Sequence, residues 1–412
     1  MLQHEQLKIA MLSVHSCPVG ELGTSETGGM SVYIRELAKE LGSRSHHVDI
    51  YTRLHGSDHK HIMELSPHVR LIHIEAGVNR GIHKLAIYPH IAEFTRGLES
   101  YRLEAEINYD LVHSHYWLSG CVGQWAQYSW NAPHIIMFHT LGATKKATGI
   151  GHREPELRLQ NEKDLIRTCD RIIAATKREK REMLDYYGTA PENIDIIPCG
   201  VNLSLFQPVN KAKARQAIGL NLNEKVILYV GRFDPLKGLD RLFLAVSRLK
   251  YDPGFKLVIV GGDDSDQPEM KKWIETCYQL GIEDSVVFPG RAKQEDLPYY
   301  YSAADITVMP SYHESFGLVA LESMACGTPV MAGDVGGFTN IVQDKRTGYL
   351  LKGELTLALI YRLQQLLDGK GPALLPGAMI RASISPYCWS RIADTIIQRY
   401  RDLLEQRMVQ VA

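Results

Sequence analysis

Residues 305–330 read DITVMPSYHESFGLVALESMACGTPV. DITVMP is a short apolar run of strand character, SYHES has loop composition, and TPVMAG starts a second apolar run. Between them, a segment from near Phe316-Gly317 to near Gly327 predicts a buried helix. Strand, loop, helix and strand in that order form the unit of a parallel sheet. Glu314 falls in the loop and Glu322 more than a turn into the helix, an arrangement that a purely structural helix does not need.

The same alternation extends in both directions. KVILYVGR, FKLVIVGG and SVVFPG read as strands, and GLDRLFLAVSRLK as a helix with Leu239, Leu242, Phe243 and Val246 on one face. These strands are apolar on both faces, as a covered parallel sheet requires. Upstream, LKIAMLSVHS, HHVDIYT, DLVHSHY, HIIMFHT, RIIAAT and NIDIIP are short β-rich runs. MSVYIRELAKELGSR places Ile34, Leu37, Ala38 and Leu41 at helical spacing. The fold class is therefore α/β, with two Rossmann-like domains in tandem whose parallel sheets face each other across a cleft. The boundary is expected in PCGVNLSLFQPVN, residues 198–210, which is rich in turn formers. The last helix, with Ile392, Ile396, Ile397, Tyr400 and Leu403/Leu404 as its apolar residues, is expected to cross back. That gives a first domain of 1–200 completed by 388–412, and a second of 201–387.

Length and composition agree. A chain of 412 residues exceeds one ordinary domain, and 45% apolar with 23% charged residues is a globular balance. A net charge of −1 argues against a nucleic-acid or anionic-membrane surface, and no apolar run is long enough to span a bilayer. The start, MLQHEQLKIAML, lacks the pattern of a signal peptide. Seven cysteines without a C-x-x-C pair argue against a disulfide framework or structural zinc site and fit a reduced cytoplasm.

Three segments carry the signals of anion binding. Gly28-Gly29 directly precedes a helix, where backbone can approach a ligand and free N–H groups face it; the alternative is a tight turn. It is not G-x-G-x-x-G, which counts against a nicotinamide dehydrogenase. GRFDPLKG sets Arg232 and Lys237 after a strand, where two cations would clamp a diphosphate or simply face solvent. The helix start at Phe316, Gly317 and Leu318 leaves N–H groups for an anion. Glu314 and Glu322 beside it suit sugar hydroxyls, so together they suggest a sugar nucleotide; the alternative is a capping acid and a solvated helix acid.

Gly28-Gly29, GRFDPLKG, PSYHESFGLVALESMACGTPV and GDVGGFTNIV together resemble the retaining glycosyltransferases of family 4, which have the GT-B fold. The resemblance covers nearly the whole chain. GGMSVYIRELAKEL, HSHYWLSG and FHTLGATKKA are most similar to two branches. One is the inositol-phosphate N-acetylglucosaminyltransferase of mycothiol synthesis; the other is the sucrose-phosphate synthase and sucrose synthase group.

The resemblance implies roles. Arg232 and Lys237 would hold the donor diphosphate, Glu322 the ribose hydroxyls, and Glu314 the transferred sugar, with Phe316 and Gly317 N–H groups beside it. Gly29 would let the first domain touch the diphosphate, Arg291 would line the base pocket, and His139 would sit under the donor sugar. Lys84, Tyr116, Thr140 and Arg158 match an acceptor-phosphate pocket. The expected activity is retaining transfer of a hexosyl unit from a nucleoside-diphosphate sugar, UDP-glucose or UDP-N-acetylglucosamine, to a small sugar or polyol phosphate. A nucleotide-sugar epimerase and a non-catalytic sugar-nucleotide sensor are the alternatives. IPCGVN departs from the family's usual I-P-N-G-V-D linker at Cys199 and Asn202. Asp264-Ser265-Asp266 has the D-x-D spacing of metal–nucleotide sites in another fold, but it stands in a turn-like acidic loop. No metal or cofactor is therefore expected to be required.

Overall fold

A computed structural model describes residues 6–20, 27–55, 61–78, 82–150, 154–250, 254–262 and 267–411. The chain forms two lobes, each a largely parallel sheet with helices on both faces. The first sheet contains β1 (Lys8–Leu12), β2 (His47–Arg53), β3 (Ile62–Ser66), β4 (Val69–Ile74), β5 (Leu111–His115), β6 (His134–Met137), β7 (Arg171–Ala174) and β8 (Ile194–Ile196). Its order is β3-β4-β2-β1-β5-β6-β7-β8, parallel except for the antiparallel β3–β4 pair. The second contains β9 (Lys225–Val230), β10 (Phe255–Val260), β11 (Val286–Gly290), β12 (Ile306–Met309), β13 (Val330–Gly333) and β14 (Gly348–Leu351). Its order is β11-β10-β9-β12-β13-β14.

Among its parallel strands, each sheet has a switch point where the strand order reverses, at β1/β5 and at β9/β12. Ligands of such sheets bind beyond the strand ends at this switch point. The amphipathic segments bury the faces their spacing marks. Ile34, Leu37, Ala38 and Leu41 of helix Gly29–Ser43 are buried, as are Leu239, Leu242, Phe243 and Val246 of helix Leu239–Val246.

The chain passes between lobes twice, and the two passages lie side by side. Val201 N–H donates to Tyr387 O at 2.8 Å, and Val201 bridges to Cys388. Asn202, the linker departure, keeps a polar contact: its Oδ1 accepts from Ser204 and Leu205 N–H, and its Nδ2 donates to Glu36. The final helix, Trp389–Val411, returns to the first sheet. Tyr400 OH meets His113 Nδ1 at 2.7 Å, and Arg44 bonds Asp394 and Ser390.

Candidate active site

The two sets of strand ends enclose a cleft of about 350 Å³. Fourteen of the fifteen residues singled out in the sequence line it: Gly28, Gly29, Lys84, Tyr116, His139, Thr140, Arg232, Lys237, Arg291, Glu314, Phe316, Gly317, Leu318 and Glu322. Arg158 does not.

The second-lobe wall is set by backbone turns. Lys237 closes the turn Pro235–Lys237, which Asp234 caps by accepting from Leu236 N–H. Gly238 follows at φ +70°, where a Cβ would collide with Pro310 O, so glycine lets this turn press against the loop after β12. The ammonium thereby reaches Glu314 Oε2 at 2.7 Å. Gly336 and Gly337 of GDVGGFTNIV do the same from the other side, packing against Glu314 O and Phe316 O. Helix Leu318–Ala325 starts from Gly317 at φ +101°. Among the described residues, no backbone hydrogen bond has the N–H of Phe316 or Gly317 as its donor. Both residues line the cleft next to the positive end of the helix dipole.

Glu322 lies on the buried side of that helix at 8% exposure and accepts from Tyr301 OH at 2.7 Å. Burial pushes its carboxyl up to about 7, and the Tyr301 bond opposes the shift. Arg232 stands 3.8 Å from Asp234, and a Cβ on Gly28 would lie 3.9 Å from Arg232 Nε. A Cβ on Gly29 would lie 3.2 Å from Leu318 Cδ1, so the glycine pair lets the first lobe approach the second-lobe helix start.

On the first-lobe wall, His139 has φ +60° and its Nε2 bonds His115 Nδ1 at 3.0 Å. Burial pushes its imidazole down to about 3, so it is neutral at physiological pH. Tyr116 also sits at positive φ, +75°, and its buried hydroxyl has no hydrogen-bond partner among the described residues. Arg158 lies behind this wall, fully buried. It pairs with Glu162 and Glu154 at 2.7 Å each, donates to Thr140 O and Oγ1, and stacks 4.9 Å from the Tyr116 ring. It holds two cleft residues rather than lining the cleft, because burial of its guanidinium demands the carboxylates that occupy its donors.

Lys145, His15, Asp234 and His313 also line the cleft and were not singled out. Lys145 belongs to the FHTLGATKKA stretch, but only tertiary packing decides which of its two lysines faces inward. Asp264 and Asp266 lie outside the described residues. Among the described residues, no three His, Cys, Asp or Glu side chains gather as a metal-holding group. No helix among them is long and apolar enough to cross a membrane.

Comparison with known proteins agrees with this geometry. Residues 27–205 match the family described as Glycosyltransferase Family 4, and residues 210–381 match Glycosyl transferases group 1. The chain is 39% identical to a D-inositol 3-phosphate glycosyltransferase of Mycobacteroides abscessus, across 95% of this chain and 88% of that one. It is 37% identical to the protein of that name from Acidothermus cellulolyticus, across 97% and 91%. Sucrose-phosphate synthase from Thermosynechococcus elongatus superposes with a TM-score of 0.90 at 34% identity, covering 97% of this chain and all of that one. With both lobes matched and the two-lobed GT-B arrangement shared along nearly its full length, the chain belongs to the family 4 glycosyltransferases.

Proposed function

We propose that the protein transfers a hexosyl unit, with retention of anomeric configuration, from a nucleoside-diphosphate sugar to a small phosphorylated sugar or polyol. The carrying observation is the convergence of Arg232, Lys237, Glu314, Glu322 and the start of helix Leu318–Ala325 on one interlobe cleft. In this reading the cations and the free N–H groups take the diphosphate, Glu322 takes the ribose and Glu314 the transferred sugar. Arg291 lines the base pocket. The similarity to D-inositol 3-phosphate glycosyltransferases and to sucrose-phosphate synthase supports a phosphorylated acceptor, with UDP-glucose or UDP-N-acetylglucosamine as donor. Lys84, Tyr116 and Thr140 form the acceptor side, held from behind by Arg158. The first lobe is taken as 1–200 with 388–412, and the second as 201–387.

The acceptor hydroxyl attacks the anomeric carbon on the face the diphosphate leaves, and a donor phosphate oxygen takes its proton. The protein contributes positioning and stabilisation of the leaving group's charge. Neutral His139, held by His115, offers a hydrogen bond beneath the sugar. Charge neutralisation falls to Arg232, Lys237 and the helix start, so no metal is required. Activity lost on chelation and restored by Mn²⁺ would contradict that.

A screen of nucleotide sugars for slow hydrolysis identifies the donor. Sugar and polyol acceptors, with and without phosphate, are then compared, and NMR of the product reads the anomeric configuration. Inversion, donor isomerisation without acceptor, or indifference to the acceptor phosphate would each defeat the corresponding part of the proposal.

A further inference from the structure

His115 is the last residue of β5, and the register of the parallel pair sets it opposite Met137, the last residue of β6. His139 follows two residues later at φ +60°, a left-handed conformation that a residue other than glycine adopts only where its surroundings hold it. Its Nε2 lies 3.0 Å from His115 Nδ1. Its Nδ1 makes no hydrogen bond among the described residues and is not sealed from solvent, and the residue lines the cleft. His115 is placed differently. It is fully buried, and its Nε2 is sealed without a hydrogen-bond partner among the described residues. The rings of His113, at 4.3 Å, and Tyr33, at 5.6 Å, pack against it, and Tyr33 also meets His139 edge-on at 5.2 Å. His113 turns its own Nδ1 to Tyr400 OH of the final helix.

Burial, then the nearby His113 and His139, pushes the His115 imidazole well below its usual range, and burial pushes His139 down to about 3. Both rings are neutral at physiological pH, so each carries one proton. Two arrangements make the bond between them. In the first, His139 Nε2–H donates to His115 Nδ1, and the proton of His115 sits on Nε2 as a buried N–H without an acceptor. In the second, His115 Nδ1–H donates to His139 Nε2. His115 Nε2 then keeps only a lone pair, and the proton of His139 sits on Nδ1, on the cleft side. Orphaned buried N–H groups are rarer in folded proteins than under-bonded acceptors, which favours the second arrangement. We infer that His115 is a positioning residue that holds His139 as its Nδ1–H tautomer, with that N–H presented to an oxygen of the bound donor. This rests on the donor class proposed above and deepens it by assigning the proton. An N–H at that place suits a sugar nucleotide, whose hydroxyl and phosphate oxygens all accept; a bare lone pair would repel a phosphate oxygen. Neither neutral ring supplies a proton to the reaction, so the contribution is orientation and one hydrogen bond.

The first test is spectroscopic and uses the full chain with nitrogen-15 in its histidine rings, at neutral pH. Long-range proton–nitrogen correlation spectra distinguish a protonated ring nitrogen from a bare one. The two residues are identified by the signals lost in His139→Asn and His115→Asn. Protons on Nδ1 of both rings are expected; a proton on Nε2 of His139 overturns the inference whatever the activity. The second test is kinetic. His115→Phe keeps a ring but no donor, and should lower kcat/KM for the nucleotide sugar by about tenfold, the contribution of one hydrogen bond, while acceptor KM stays within about twofold. His115→Asn sets an amide N–H near the place of Nδ1–H and should recover most of that loss, which packing alone does not do. A His115→Phe enzyme within about twofold of wild type, or two variants that lose activity equally, overturns the positioning role. A wild type that neither binds nor turns over any nucleotide sugar overturns the proposed donor class, and the role of His139 Nδ1–H toward the donor with it, whichever tautomer the spectrum shows.

Discussion

Glu322 is a carboxyl kept out of water inside a helix, and its cost should be measurable. Its folded pKa of about 7 lies above the ordinary 4.5, so the folded chain holds a proton that the unfolded chain releases between those values. Stability from this group therefore falls as pH rises from about 4.5 to 7, and the loss is complete above 7. Glu322→Gln keeps an acceptor for Tyr301 without the charge. Thermal melts should show it close to wild type at pH 5 and several degrees more stable at pH 8, with weakened donor binding. An unchanged difference between the two pH values would contradict a buried, proton-holding Glu322. Lys237 is a different case, since the role proposed for it is in the reaction. Lys237→Ala and Arg232→Ala should each lower kcat by roughly 10²–10³, as loss of one preorganised donor does. Near-normal turnover at saturating donor would remove the diphosphate clamp from the account.

At the scale of elements, the strand–loop–helix unit at 305–330 was legible because its apolar runs are separated by a loop and the helix is bounded by Gly317 and Gly327. The helix spans Leu318–Ala325, within two residues of its expected ends. Strands β3, β4 and β14 were not legible. The β3 residues are mostly exposed or half-buried, so they show no apolar run. Arg70 in β4 is tolerated because it pairs with Asp49 of the adjacent strand, a contact only the folded sheet supplies. At four residues, β14 is too short for a period to register. Arg158, which the resemblance places on the acceptor side, lies at the centre of a buried network that the sequence around it does not reveal. Arg158→Ala should cost about 3–5 kcal/mol in denaturant melts, because it strands Glu162 without a counter-charge. A cost under about 1 kcal/mol, typical of surface ion pairs, would mean that the network is not structural.

For the whole molecule, the tandem sheets were legible from strand–helix alternation, and most of the cleft followed because strand ends and helix starts mark where ligands bind. Inward-facing Lys145 and His15 were not, since their direction depends on how separate helices and turns pack against one another. The cleft joins parts of the chain that belong to different lobes. Gly28, Gly29 and His139 come from one lobe, and Arg232, Lys237, Glu314 and Glu322 from the other. The most direct measurement is a crystal structure with an intact nucleoside-diphosphate sugar. The account predicts diphosphate density between Arg232, Lys237 and the start of helix Leu318–Ala325, ribose hydroxyls on Glu322 and the sugar between Glu314 and His139. A nucleotide seated outside the interlobe cleft, or within it but away from Arg232 and Lys237, would contradict it.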